Sequence, residues 1–255
     1  MTDSILAIPQ HFQISMTSWI IAIIAAFILG LSKAGVKGIG IMIVIMLAIV
    51  FGAKASTGIL LPLLIFADVF AVSYYNRHTE WRHLGILLPW IVLGVLLGVW
   101  VGKGLPEEQF RRGLAIVVMV CAIMMFWWDR RTRAVPKNKW FGAIMGLSAG
   151  FATMIGNSAG PLAMIYFLAM RLPKNSFIGT AAWLFFIINL FKLPFHIWVW
   201  ETVSFDSLAV NVWLLMPVVA GFFLGVWIVK KIEEDNYRRL ILALTAAGAA
   251  LILFQ

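Results

Sequence analysis

Charge is scarce in this chain: 12% of its residues are Asp, Glu, Lys or Arg, against about a quarter in an average soluble domain. A soluble chain of 255 residues buries one core and keeps a polar surface. There is too little polar sequence here to cover one. Cysteine is also nearly absent. The single Cys121, inside GLAIVVMVCAIMMFWW, excludes an intramolecular disulfide and reads as a small apolar filler. No Walker A motif is present, so no ATPase is encoded. No Cys/His cluster has metal-ligand spacing, and the GxG of KGIG lacks the strand–turn–helix setting of a dinucleotide site. With no nucleophile–base pair either, no enzyme activity, cofactor or metal is expected. The N-terminus lacks a positive n-region and a small-residue cleavage site, which predicts no removed signal peptide.

What is abundant is apolar. Hydrophobic residues make up 62% of the chain, and its mean hydropathy is +0.96. Ten apolar segments stand out, at 17–31, 38–53, 57–75, 84–102, 113–128, 140–154, 159–170, 176–191, 208–229 and 240–254. A membrane span needs ~20 residues. Several segments meet that. The pairs at 17–31/38–53 and 140–154/159–170 are short and interrupted by glycine-rich sequence, as broken or re-entrant helices are. The pattern predicts an all-α polytopic membrane protein with 8–10 transmembrane segments, whose surroundings are the lipid bilayer of the inner cell membrane.

The net charge of +9 fits nucleic acid only if the basic residues are not already explained by topology. With all ten segments crossing, one side holds Lys54, Lys103, Arg111, Arg112 and Lys192, and the other the remaining fifteen. The positive-inside rule puts the richer side, with the linker DRRTRAVPKNK at 129–139, in the cytoplasm. Both termini are then outside. Treating the two interrupted pairs as hairpins removes Lys33 and Lys37 and leaves thirteen against five, with the same orientation. No nucleic-acid partner is expected. Lys192 and His196, with Trp198 and Trp200, read as part of an aromatic belt at the outer interface; the sharper alternative is a gate or exit funnel for anions.

The chain also repeats itself. GVLLGVWVGKGLPEEQFRR at 94–112 matches GFFLGVWIVKKIEEDNYRR at 221–239, an offset of 127. An earlier match, at an offset of 121, pairs Gly35 with Gly156, Gly58 with Gly179, and Asp68 with Asn189. The two halves are 1–128 and 140–255, joined by the linker 129–139. Each holds an odd number of crossings, so the second half enters the membrane from the opposite side. Inverted repeats of this kind mark many secondary transporters, whose sites lie at paired breaks in the helices.

The paired breaks are GLSKAGVKGIG at 30–40 and MIGNSAGP at 154–161. Helices are predicted to restart at about Gly38 and Gly160, with Pro161 suited to a first turn. Their first N–H groups lack intrahelical partners and carry the positive end of the helix dipole, so they can hold an anion. The candidate site is therefore Gly35, Gly38, Gly40, Gly156, Gly160 and Pro161, with neutral donors from Asn157 and Ser158 and with Thr180 of the eighth segment. Lys33 and Lys37 are either anion ligands or loop lysines serving the positive-inside bias. Asp68, deep in LLIFADVFAV, either pairs with one of these lysines or titrates to couple transport to protons, and its repeat partner Asn189 is neutral. A structural ion pair that holds segment 57–75 against the first break is an equal alternative to a functional role.

The stretches GLSKAGVKGIG, KASTGILLPLLIFADVFAV (54–72) and GNSAGPLAMIYFLAMRLPKNSFIGTAAWLFF (156–186) resemble the sulfite exporter TauE/SafE family of membrane transporters. The resemblance runs from about 18 to 254. It implies a permease that moves small sulfur-containing oxyanions, such as sulfite or organosulfonates, across the cytoplasmic membrane. A cation or metal-ion carrier centred on Asp68, and a non-transporting membrane scaffold that uses the basic linker, are the alternatives.

Overall fold

A computed structural model describes residues 14–130, 139–233 and 236–237. The predicted tenth segment, 240–254, and all but the ends of the basic linker 129–139 lie outside the described residues. Among those described there are nine α-helices and no strand. They are α1 (Met16–Lys33), α2 (Gly40–Phe51), α3 (Ala53–Tyr75), α4 (Trp81–Gly102), α5 (Glu107–Arg130), α6 (Lys139–Gly156), α7 (Ala159–Ala169), α8 (Lys174–Trp198) and α9 (Phe205–Lys231), with a short 3-10 turn at Asn76–His78. Helices α1, α3, α4, α8 and α9 are long and apolar enough to cross a membrane. Helices α2 and α7 have 12 and 11 residues. At 1.5 Å per residue each reaches roughly half of the ~30 Å hydrocarbon layer. The protein is an all-α polytopic membrane protein, with its breaks where the glycines predicted them.

Local chemistry sets several helix ends. Ser15 caps α1 through the N–H of Ser18, and Ser204 and Ser207 form a reciprocal capping box at the start of α9. The start of α3 is capped across space, by Glu107 Oε1 accepting from the N–H of Ala53 at 2.7 Å. Thr57 donates instead to the Lys54 carbonyl at 2.7 Å, inside that helix. Lys174 Nζ closes the end of α9 by donating to the carbonyls of Val229 and Ile232.

Glycines bring two helix pairs into backbone contact. Gly30 of α1 lies against Val218, Gly221 and Phe222 of α9, and further along Gly225 lies against Leu31 and Ala34. These helices run parallel. Helices α4 and α6 make the same arrangement: Gly142 meets Ile86, Gly150 meets Ile91, and Gly98 meets Met154. By contrast α3 and α8 are antiparallel. Gly58, early in α3, touches Thr202 just past α8, and Gly179, early in α8, touches Tyr75 at the end of α3. Lipid-sized side chains such as Trp100, Phe205 and Met216 stay exposed on the outside of the bundle, as they must in a bilayer.

Candidate functional site

The first break is built by backbone that only glycine adopts without strain. Helix α1 closes with the N–H of Val36 donating to the Leu31 carbonyl, and the chain turns through Gly35 (φ +119°) and Gly38 (φ +100°). Two tyrosines pin the turn. Tyr75 Oη donates to the Ala34 carbonyl at 2.8 Å, and Tyr237 Oη to the Gly35 carbonyl at 2.6 Å. Helix α2 restarts at Gly40, two residues later than predicted, and has no side-chain cap. The second break turns at Asn157, whose φ is +52°, and α7 starts at Ala159. Ser158 precedes it without capping it, and its hydroxyl donates to the Gly156 carbonyl at 2.9 Å.

Both uncapped helix starts line one cavity of about 80 Å³. A single water needs roughly 10–15 Å³ by this measure, so there is room for a small oxyanion. The first break contributes Lys33, Lys37, Gly38 and Gly40; the second contributes Asn157, Gly160 and Pro161. Asn189 reaches it from α8 and Phe185 from one turn earlier. Gly35, Gly156, Ser158 and Thr180 do not line it. Gly35 packs on Ile178 and Val229, and Gly156 on Leu114. Thr180 lies at the other end of α8, where its hydroxyl accepts the N–H of Glu80 at 2.9 Å.

The buried charges decide what the cavity can hold. Asp68 is fully buried; its carboxylate accepts from Lys33 Nζ at 2.6 Å and from Asn189 Nδ2 at 2.7 Å. The bond to Asn189 joins the two residues that the sequence repeat equates. Lys37 is also buried, and its ammonium donates to the Ser32 carbonyl at 3.0 Å. The ring of Phe185 lies 5.0 Å from the Lys33 ammonium and 5.9 Å from that of Lys37, within reach of a cation–π attraction.

Lys192 and His196 correct the sequence reading. The aromatic-belt pattern put both at the outer interface, but both are completely buried. Trp198 is 74% exposed, while Trp200 turns inward and stacks edge-on with Phe110. Lys192 Nζ donates to the carbonyl and hydroxyl of Thr153, both at 3.0 Å, and to Asn157 Oδ1 at 2.5 Å. Asn157 in turn donates to the Thr57 carbonyl at 3.1 Å. Its amide therefore ties the second break to α3 and α8. Thr153 and Lys192 carry no local sequence signal, because their meeting depends on α6 packing beside α8. Among the described residues the buried charged side chains are thus three lysines and one aspartate. Among them, too, no group of three His, Cys, Asp or Glu could hold a metal ion.

A cavity walled by two helix N-termini and an excess of ammonium groups suits an anion. The family model for the sulfite exporter TauE/SafE matches residues 19–252, nearly the whole chain. The chain belongs to the sulfite exporter TauE/SafE family. Membership makes this TauE/SafE protein a multi-pass membrane protein of a family of sulfur-compound exporters, which are transporters rather than enzymes. No match to this TauE/SafE chain was found among the curated proteins or the solved structures.

Proposed function

We propose that the protein is a secondary transporter that exports small sulfur oxyanions, sulfite or an organosulfonate, by alternating access between halves 1–128 and 140–255. One observation carries the reading: the N-termini of α2 and α7, without side-chain caps, meet one cavity beside Lys37, whose ammonium, among the described residues, has a carbonyl and no carboxylate as hydrogen-bond partner. Unpaired N–H groups at a helix start favour an anion, and a buried ammonium favours it more. The anion then sits among Lys37, Gly38, Gly40, Asn157, Gly160 and Pro161. The Lys33–Asp68–Asn189 cluster holds the two halves in register and is the place where a coupling proton would act.

Several contacts support an inverted relation between the halves. The α1–α9 and α4–α6 pairs exchange the same two positions of each half. Gly58 and Gly179, an offset of 121, meet Thr202 and Tyr75, an offset of 127. Helices α3 and α8 run in opposite directions through the Asp68–Asn189 bond. With the basic linker 129–139 in the cytoplasm, the end holding Tyr75 and Lys174 is cytoplasmic. The end holding Trp200 is then outer, and both termini are outside.

Melting of the purified protein in detergent tests the ligand class. Sulfite or methanesulfonate should raise the melting temperature and divalent cations should not. A response to divalent cations alone would favour the carrier centred on Asp68, and no response to any solute the scaffold. Lys37→Ala should weaken sulfite binding about tenfold or more, the scale of one hydrogen bond to a charged group, while leaving expression near wild type. Unchanged sulfite flux in proteoliposomes would remove the lysine from the site.

A further inference from the structure

Helix α8 carries a polar face that the central cavity does not use up. Asn189, Lys192 and His196 are spaced to lie on one side of the helix, and all three are buried. Asn189 faces the cavity. Lys192 lies one turn closer to the outer end, and His196 one turn beyond that. The Lys192 ammonium donates its hydrogen bonds to Thr153 and Asn157, and all three acceptors are neutral oxygens. Its charge is therefore solvated by dipoles and balanced by none of them. A charge so placed at membrane depth is costly and is a functional feature by default.

His196 adds an independent observation. Its Nδ1 pairs with Thr202 Oγ1 at 2.8 Å, while its Nε2 is buried with no hydrogen-bond partner among the described residues. A buried polar atom left unpaired is costly. The Nδ1–Thr202 bond fits either tautomer; in the one where the Thr202 hydroxyl donates to Nδ1, the neutral imidazole keeps its proton on Nε2 and Nε2 is an unused donor. Thr202 itself is only partly buried, in the segment between α8 and α9. At the outer side of the cavity wall formed by Thr153 and Asn157 there is thus, among the described residues, an ammonium hydrogen-bonded to no carboxylate, followed by a buried imidazole nitrogen without a partner.

We propose that Lys192 and His196 form a second anion position, between the central cavity and the outer face, occupied by the small oxyanion on its way across. The proposal rests on the transport reading of the cavity. An oxyanion there takes the place of Asn157 Oδ1 as a partner of the Lys192 ammonium and accepts the Nε2–H of His196. Asn157 also holds the second break to the Thr57 carbonyl, so filling this position loosens the wall between cavity and outer end. The first break, pinned by Tyr75 and Tyr237, is untouched.

Equilibrium binding of radiolabelled sulfite to the purified full chain in detergent tests this. Wild type should bind two ions per molecule, Lys37→Ala one, and Lys192→Gln one. Lys192→Arg should keep both. His196→Leu, which leaves the ammonium in place, should weaken one of the two ions about tenfold and leave the other unchanged. If Lys192→Gln fails to fold, the arginine and His196 variants carry the test. One ion in wild type overturns the second position and leaves the cavity reading standing, whereas none overturns both. Two ions bound unaltered by His196→Leu and Lys192→Gln would also overturn it. In proteoliposomes, Lys192→Gln should raise KM for sulfite about tenfold from the outer side and leave the cytoplasmic KM unchanged. An equal rise on both sides would assign Lys192 to the central cavity instead.

Discussion

Removing the Asp68 carboxylate leaves the Lys33 ammonium buried beside Asn189 with no counter-charge. Breaking a buried ion pair from one side costs about 3–5 kcal/mol, whereas replacing both partners by apolar groups is often neutral. Asp68→Leu should therefore lower the melting temperature in detergent strongly, and Asp68→Leu combined with Lys33→Met should recover most of the loss. Equal melting temperatures for the single and double variants would show that the pair contributes nothing to the fold. At this scale the sequence marked Lys33, Lys37, Asp68 and Asn189, because a charge or amide within an apolar run stands out. It misplaced Lys192. A lysine beside FHIWVW looks interfacial, and only the Thr153 and Asn157 oxygens brought to it by other helices explain its burial.

Helix pairs in this protein are held by close backbone approach. A Cβ on Gly30 would collide with the backbone of Val218 and Phe222, so one helix of the α1–α9 pair must move. Gly30→Ala should cost about 1–3 kcal/mol, the usual range for overpacking, seen as a lower melting temperature. Gly85 is the control, since nothing lies within 4 Å of its missing Cβ. Gly85→Ala should leave the melting temperature unchanged or raise it, because alanine favours helix by up to about 1 kcal/mol. Equal losses in both variants would sink the packing argument. The helices and their breaks were legible from apolar runs and glycines, with the ends at the two breaks shifted by up to two residues and several others by more, as where 176–191 runs on to Trp198. Thr180 was not, because at its depth a cavity hydroxyl and a hydroxyl that caps the backbone of Glu80 give the same sequence.

The proposed opposition of halves 1–128 and 140–255 predicts a sidedness that can be read with single cysteines. Lys103 and Lys230 occupy equivalent places in the sequence repeat and are both exposed. In a Cys121→Ser background, Lys103→Cys should react with an impermeant thiol reagent added outside intact cells. Lys230→Cys should react only after the membrane is opened. Labelling of both from the same side would rule out opposed halves, and reversed labelling would turn the orientation over.

Composition alone determined that this chain lives in a membrane, since there is not enough charge to make a soluble surface. The glycine-rich pauses determined where helices stop, because no other residue turns a chain so tightly at so little cost. The pattern of the family was also written along the chain. Tertiary structure decided which of the polar residues meet. The Lys33–Asp68–Asn189 cluster, the cavity between α2 and α7, and the buried Lys192 and His196 each join residues from separate helices. Sequence periodicity shows which face of a helix is polar, but the partner of that face is chosen only when the helices pack.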